Sequence, residues 1–127
     1  MQYQKIHKDF KINGKAFSSI EEILRYTKHE KMPIYKFLSD WFSNSNVLQV
    51  ETSGSTGNPK EINLKKEHVI NSALATGDAL KLTNKTSALL CLPIEYIAGK
   101  LMMVRALVLG WDLHIIKPSS NPLENIN

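Results

Sequence analysis

Nine consecutive residues, Thr52-Ser53-Gly54-Ser55-Thr56-Gly57-Asn58-Pro59-Lys60, place two glycines, four hydroxyls and one lysine side by side. Glycine lets the main chain take left-handed conformations and approach a ligand with no Cβ in between. Successive backbone N–H groups in such a turn form an anion-binding concavity. The hydroxyls of Thr52, Ser53, Ser55 and Thr56 can donate to phosphate oxygens. Lys60 adds a mobile positive charge, and charge-assisted hydrogen bonds are about twice as strong as neutral ones. The chemistry this offers is the holding of a phosphate-bearing anion. Glu51 and Glu61 flank the stretch, and strand alternation is expected to point both away from it. The Walker A spacing fails, because Gly57 is followed by Asn-Pro-Lys instead of Lys-Ser/Thr. By composition alone, a polar glycine loop is more often a solvated connection.

The flanking residues place this loop between two strands. Residues 47–52 alternate like a strand, and Ile62 and Leu64 alternate again on the way back. Upstream, Asn13-Gly14 between alternating apolar residues predicts a hairpin with a type I′ turn over residues 10–17. Ser18 and Ser19 stand three residues before Glu21 and Glu22, a doubled capping-box pattern opening a helix to about Lys28. Pro33 opens a second helix, whose residues Ile34, Phe37, Leu38, Trp41 and Phe42 form an apolar stripe read as core. Downstream, Val69, Ala73, Thr76 and Leu80 mark one face of a helix over 66–80. Residues 88–92 read as a strand buried on both faces and stopped by Pro93. A helix over 96–109 ends at Gly110, and a strand over 111–116 returns. Strand, helix and strand in succession predict a parallel βαβ unit, so the class is α/β.

With 127 residues and 43% hydrophobic content, the chain can bury one modest core. Sixteen Lys and Arg against twelve Asp and Glu leave a charge of +4, with no basic run or arginine cluster to argue for nucleic acid. The single cysteine, Cys91, excludes an internal disulfide and any cysteine-built zinc site, and suits a reducing cytoplasm. Within an apolar strand it reads as an inert core thiol. No stretch is apolar and long enough to cross a bilayer, and residues 1–5 lack the character of a secretory signal. A cytoplasmic location is the expectation. His7, His29, His68 and His114 show no metal-ligand spacing, so no metal site is expected.

The order of residues 52–60 closely resembles the phosphate-binding signature of the adenylate-forming (AMP-binding) superfamily of acyl- and aryl-CoA ligases, adenylation domains and luciferases, with Asn58 where that family varies. Leu92-Pro93-Ile94-Glu95-Tyr96-Ile97-Ala98-Gly99 resembles the family's next motif, a Leu-Pro strand end leading into a helix beside the acyl pocket. Two positions depart from the pattern. Glu61 stands where glycine usually follows the lysine, and Tyr96 where histidine is frequent. Residues 96–107, with so short a leader before the loop, resemble the compact branch of o-succinylbenzoate–CoA ligases of menaquinone biosynthesis. The resemblance covers residues 47–122.

The resemblance implies the N-terminal portion of an adenylate-forming large domain, in which residues 1–46 are a leader and 47–127 an incomplete AMP-binding segment. It implies an ATP-dependent acid–CoA ligase, with a carboxylic acid, ATP and coenzyme A as substrates and Mg²⁺ as the accompanying metal. Thr52, Ser53, Gly54, Ser55, Thr56, Gly57 and Lys60 would hold the β- and γ-phosphates, and Tyr96, Gly99 and Arg105 would line the acyl pocket. Arg105 has two readings, one reaching solvent and the other pairing with a substrate carboxylate. Signatures for adenine, ribose, magnesium and the catalytic lysine have no counterpart here, so no catalytic residue is assigned and the chain is expected to be inactive alone, as part of a longer enzyme. An apolar surface left by that absence would favour homo-oligomers. Another acyl or aryl acid, a carrier-protein acceptor, and a non-catalytic module for phosphorylated ligands are the competing readings.

Overall fold

Asn13 and Gly14 both take positive φ, 50° and 83°, which is the backbone of a type I′ turn. They join β1 (Lys11–Ile12) to β2 (Lys15–Ala16) in the expected hairpin. The computed structural model describes residues 6–52, 60–81, 86–90, 94 and 97–115. Helix α1 (Ile20–His29) starts at Ser19, whose side chain accepts from Glu22 N–H at 3.1 Å. Glu22 reaches back to Ser18, whose hydroxyl donates to it at 2.6 Å, and these bonds hold its carboxyl below the usual range. Of the doubled capping pattern, the Ser19–Glu22 pair is the one that caps. Helix α2 (Ile34–Trp41) buries Ile34, Phe37, Leu38 and Trp41, the stripe read from the sequence.

Two sheets follow. Strands β3 (Val47–Thr52) and β4 (Lys60–Lys65) form a two-stranded antiparallel ribbon. Strands β5 (Ser87–Leu90) and β6 (Asp112–Ile115) lie parallel, joined through α4 (Ile97–Leu109), and the expected strand–helix–strand unit is present. Strand β1 pairs parallel with β6, Lys11 opposite Asp112 and Ile12 opposite Leu113, so the sheet order is β2-β1-β6-β5. The hairpin turn is tied to β6 by side chains as well. Asn13 Oδ1 accepts from Ile115 N–H at 2.9 Å, and Asp112 Oδ1 accepts from Gly14 N–H at 3.0 Å. The first and last described strands thus share one sheet.

Helix α3 (Lys66–Leu80) packs along α4. Its buried residues are Lys66, Val69, Ile70, Ala73 and Gly77. Val69 and Ala73 match the predicted face; Leu80, at the last residue of the helix, is 63% exposed instead. At Gly77 an added Cβ would press on the Leu109 side chain, so glycine sets the close approach of the two helices. Strand β5 also departs from expectation. Leu90 is buried, but Leu89 is half exposed, because one face of this outer strand lacks a covering layer among the described residues. The core gathers Phe10, Ile12, Ile23, Leu38, Val50, Met103, Leu107 and Leu113, drawn from both sheets and all helices but α3, which adds Val69, Ile70 and Ala73.

Gly110 ends α4 with φ 79°, its N–H and that of Trp111 both bonding to Ala106 O. A Cβ there would enter the His7 ring. Gly110→Ala is therefore expected to lower the free energy of unfolding by about 1–3 kcal/mol in urea titrations. Adding His7→Ala should recover the steric part and leave the backbone part.

Candidate functional site

The ribbon carries the loop. Its register runs without a slip from Val47 opposite Lys65 to Thr52 opposite Lys60. The hydroxyl-rich stretch is thus closed at its base by a paired strand end, and the two predicted site residues at its margins, Thr52 and Lys60, are brought together as backbone partners. Lys60 is exposed. Alternation from Leu48 and Val50, both buried, sends one face of the ribbon to the core. Glu51 and Glu61 lie directly opposite each other on the other face, away from the face that Lys60 shares with Ile62.

Lysines anchor the ribbon at two points. Lys66, the first residue of α3, is fully buried. Its ammonium donates to Asp40 O at 2.8 Å, to Ser43 O at 3.3 Å and to Ser43 Oγ at 3.3 Å. It also lies 5.9 Å from the Trp41 ring centroid. These carbonyls belong to the C-terminal end of α2 and the turn after it, where helix carbonyls lack intrahelical partners and the dipole favours a cation. The Lys66 N–H donates to Asn46 O at 2.9 Å, one residue before β3. Burial pushes the ammonium below the ordinary lysine range, and the Asp40 charge opposes that. From the other side, Lys100 in the first turn of α4 donates to Gln49 O in β3 at 3.1 Å. That bond brings the helix of the second motif against the strand that enters the loop.

On the acidic face of the ribbon lies an open cavity of about 520 Å³, lined by Lys36, Phe37 and Asp40 of α2, Gln49, Glu51 and Glu61 of the ribbon, and Lys100 of α4. Gln49 Nε2 donates to Glu61 Oε2 at 3.0 Å across the strands. Its ribbon residues, Gln49, Glu51 and Glu61, lie on the face opposite the one that Lys60 shares with Ile62. A second, of about 440 Å³, sits between β4, α3 and α4, with Leu64, His68, Val69 and Leu101 among its walls.

Ser53, Gly54, Ser55, Thr56 and Gly57 lie outside the described residues, as do Cys91 and Tyr96. Gly99 is buried in the first turn of α4, and Arg105 is half buried further along the same helix. They stand six positions apart, which turns them to different sides of the helix. Among the described residues no group of three or more His, Cys, Asp or Glu gathers as a metal site would require, and no helix is long and apolar enough to cross a membrane. Sequence reasoning missed Lys66 and Lys100. Neither carries a local signal, because each answers to a carbonyl far along the chain.

No protein-family model matches the sequence, and no curated protein matches it. Solved structures do. An acyl-CoA synthetase (AMP-forming)/AMP-acid ligase II-like protein from Dyadobacter fermentans is 41% identical over 72% of this chain, with a TM-score of 0.64. The o-succinylbenzoate CoA synthetase MenE from Bacillus subtilis, in complex with an acyl-adenylate intermediate, aligns over 91% of this chain and 39% of its own at 17% identity and TM-score 0.51. ATP-bound MatB from Rhodopseudomonas palustris aligns over 86% of this chain and 30% of its own at 15% identity and the same TM-score. These last two likenesses concern the fold alone. The α/β architecture, with its parallel sheet and helices, matches a fragment of the adenylate-forming enzyme fold, and the neighbours are adenylate-forming ligases. The chain spans 26% of the Dyadobacter protein's length.

Like charges directly opposite on an antiparallel pair are destabilising. Glu51→Gln is expected to stabilise the chain by about 0.2–1 kcal/mol, with the gain shrinking at high salt. Urea unfolding at two ionic strengths measures it.

Proposed function

We propose that this chain is the N-terminal portion of an ATP-dependent acid–thiol ligase of the adenylate-forming kind, and that residues 52–60 hold the triphosphate tail of ATP. One observation carries the reading. A loop with the residue order of that superfamily's phosphate signature is closed at its base by a ribbon in full register, with Lys60 at its exit. The 41% identity to the Dyadobacter synthetase supports it. Residues 47–127 are then the start of the AMP-binding domain and residues 1–46 its leader, although β1 of the leader joins the sheet of β5 and β6.

In the reaction so proposed, a carboxylate oxygen of the acid attacks the α-phosphorus of ATP. The bond to the β-phosphate bridging oxygen breaks, and pyrophosphate leaves with its electron pair. The thiol of coenzyme A then attacks the acyl carbon of the mixed anhydride, loses its proton, and AMP departs. The loop acts on the first step. Charge builds on the leaving pyrophosphate, and groups fixed in advance around it need no reorganisation as it forms. Backbone amides of 53–57, the flanking hydroxyls and the Lys60 ammonium are suited to that task. The glycines at 54 and 57 allow the backbone to come close. Mg²⁺ would accompany ATP in this reading, and among the described residues no group of three or more His, Cys, Asp or Glu gathers to hold it.

The acyl pocket of the whole enzyme would include Tyr96, Gly99 and Arg105, with Arg105 turned either to solvent or to a substrate carboxylate. The acid proposed first is o-succinylbenzoate, on the compact leader and the residue order of 96–107; other aryl or acyl acids compete with it. A cytoplasmic setting suits the single cysteine.

Inorganic pyrophosphate is expected to bind this chain weakly, and Lys60→Ala to weaken that binding about tenfold, the loss of one charge-assisted contact worth roughly 1.5 kcal/mol. Calorimetry with both proteins tests it. In the full-length enzyme, labelled pyrophosphate should exchange into ATP only when the acid is present. Exchange with no carboxylic acid in a panel containing o-succinylbenzoate would remove the enzymatic reading and leave a phosphate-binding module.

A further inference from the structure

The root of the ribbon is held by a buried charged side chain. Three ammonium hydrogens of Lys66 meet three acceptors, Asp40 O, Ser43 O and Ser43 Oγ, with no exposure to water. The same residue's N–H bonds to Asn46 O, and its chain neighbour Lys65 pairs with Val47. The segment between is built round that point by serines. Ser43 Oγ donates to Asp40 O at 2.7 Å, and Ser45 Oγ bonds to Val47 at both its N–H and its O, each at 3.2 Å. Main chain and side chain of one residue therefore fix where β3 begins, where β4 ends and where α2 stops.

We propose that Lys66 is a positioning residue for phosphate binding: its buried ammonium locks the root of the β3–β4 ribbon against the end of α2, and so sets where the strand ends Thr52 and Lys60 stand. This rests on the phosphate reading above. Six paired positions separate root from tip, about 17 Å at the usual rise per residue. Pairing along the whole ribbon couples the two strands from root to tip, so a change at the root is carried to Thr52 and Lys60. Small errors of placement at a charge-stabilising site are costly, up to about a hundredfold for a shift near 1 Å.

The test compares Lys66→Met, which keeps the apolar stem and removes the donors, with Lys66→Arg, which keeps donors, and with Ser43→Ala, which removes one acceptor and is the milder variant should Lys66→Met fail to fold. Two quantities are read on the whole chain. Amide hydrogen exchange at Leu48–Val50 and Ile62–Leu64 should speed up about tenfold or more in Lys66→Met, and less in Ser43→Ala, while Lys11 and Asn13, bonded in the other sheet, are unchanged. Affinity for inorganic pyrophosphate, measured where each variant is fully folded, should fall about fivefold or more in Lys66→Met and be largely retained in Lys66→Arg. Unchanged exchange in the ribbon overturns the proposal. Faster exchange with unchanged affinity also overturns it, leaving Lys66 a stabilising residue only. If the unaltered chain takes up no pyrophosphate while ribbon exchange still responds to Lys66→Met, the phosphate reading fails and the anchoring of the ribbon stands.

Discussion

A buried ammonium group must find acceptors, because its desolvation costs several kcal/mol when they are missing. Lys66 meets that demand at the C-terminal end of α2, where Asp40 O accepts from its ammonium as well as from Ser43, and with Ser43 O and Oγ in the turn that follows. The constraint runs in both directions. It places the beginning of α3 beneath the end of α2, and the strands on either side of the connection have little choice of where to start. Trp41 closes the arrangement, its ring stacked on Phe37 at 6.2 Å and lying under the lysine.

From that root the ribbon projects with its apolar face, Leu48 and Val50, against the core and its polar face toward the open cavity. Lys100 reaches Gln49 O from α4, which itself spans the parallel pair β5 and β6. The strand that leads toward residues 52–60 and the helix that begins in residues 92–99 are therefore joined through one hydrogen bond and the packing of that helix. A ligand with an anionic tail at the loop and an acyl group near α4 would be served by elements already in contact.

Much of this was legible because local rules and tertiary demands agree. Asn13-Gly14 can adopt two successive positive φ angles, and it does so at the turn between β1 and β2. The stripe from Ile34 to Trp41 has a helical period and is buried. Gly110 stops α4 where the apolar run ends. Other features depended on partners far away in the chain. The parallel pairing of β1 with β6 joins residues about a hundred positions apart, and nothing near Lys11 announces it. Leu80 and Leu89 look like core residues by type, yet each sits where no described element covers it. Lys66 looks like a surface lysine at a helix start, and only the carbonyls of Asp40 and Ser43 make it a buried one. At the candidate site, residue order carried the chemistry and the fold supplied the opposition of Thr52 and Lys60.

The role of residues 52–60 is decided by where a pyrophosphate anion lodges. A titration of the isotope-labelled chain with sodium pyrophosphate, followed amide by amide in proton–nitrogen correlation spectra, addresses this most directly. The largest shifts are predicted at residues 52–60, with smaller ones along the ribbon. Shifts centred instead on Lys36 and Lys100 at the cavity, with the loop amides unmoved, would contradict the assignment of that loop to phosphate.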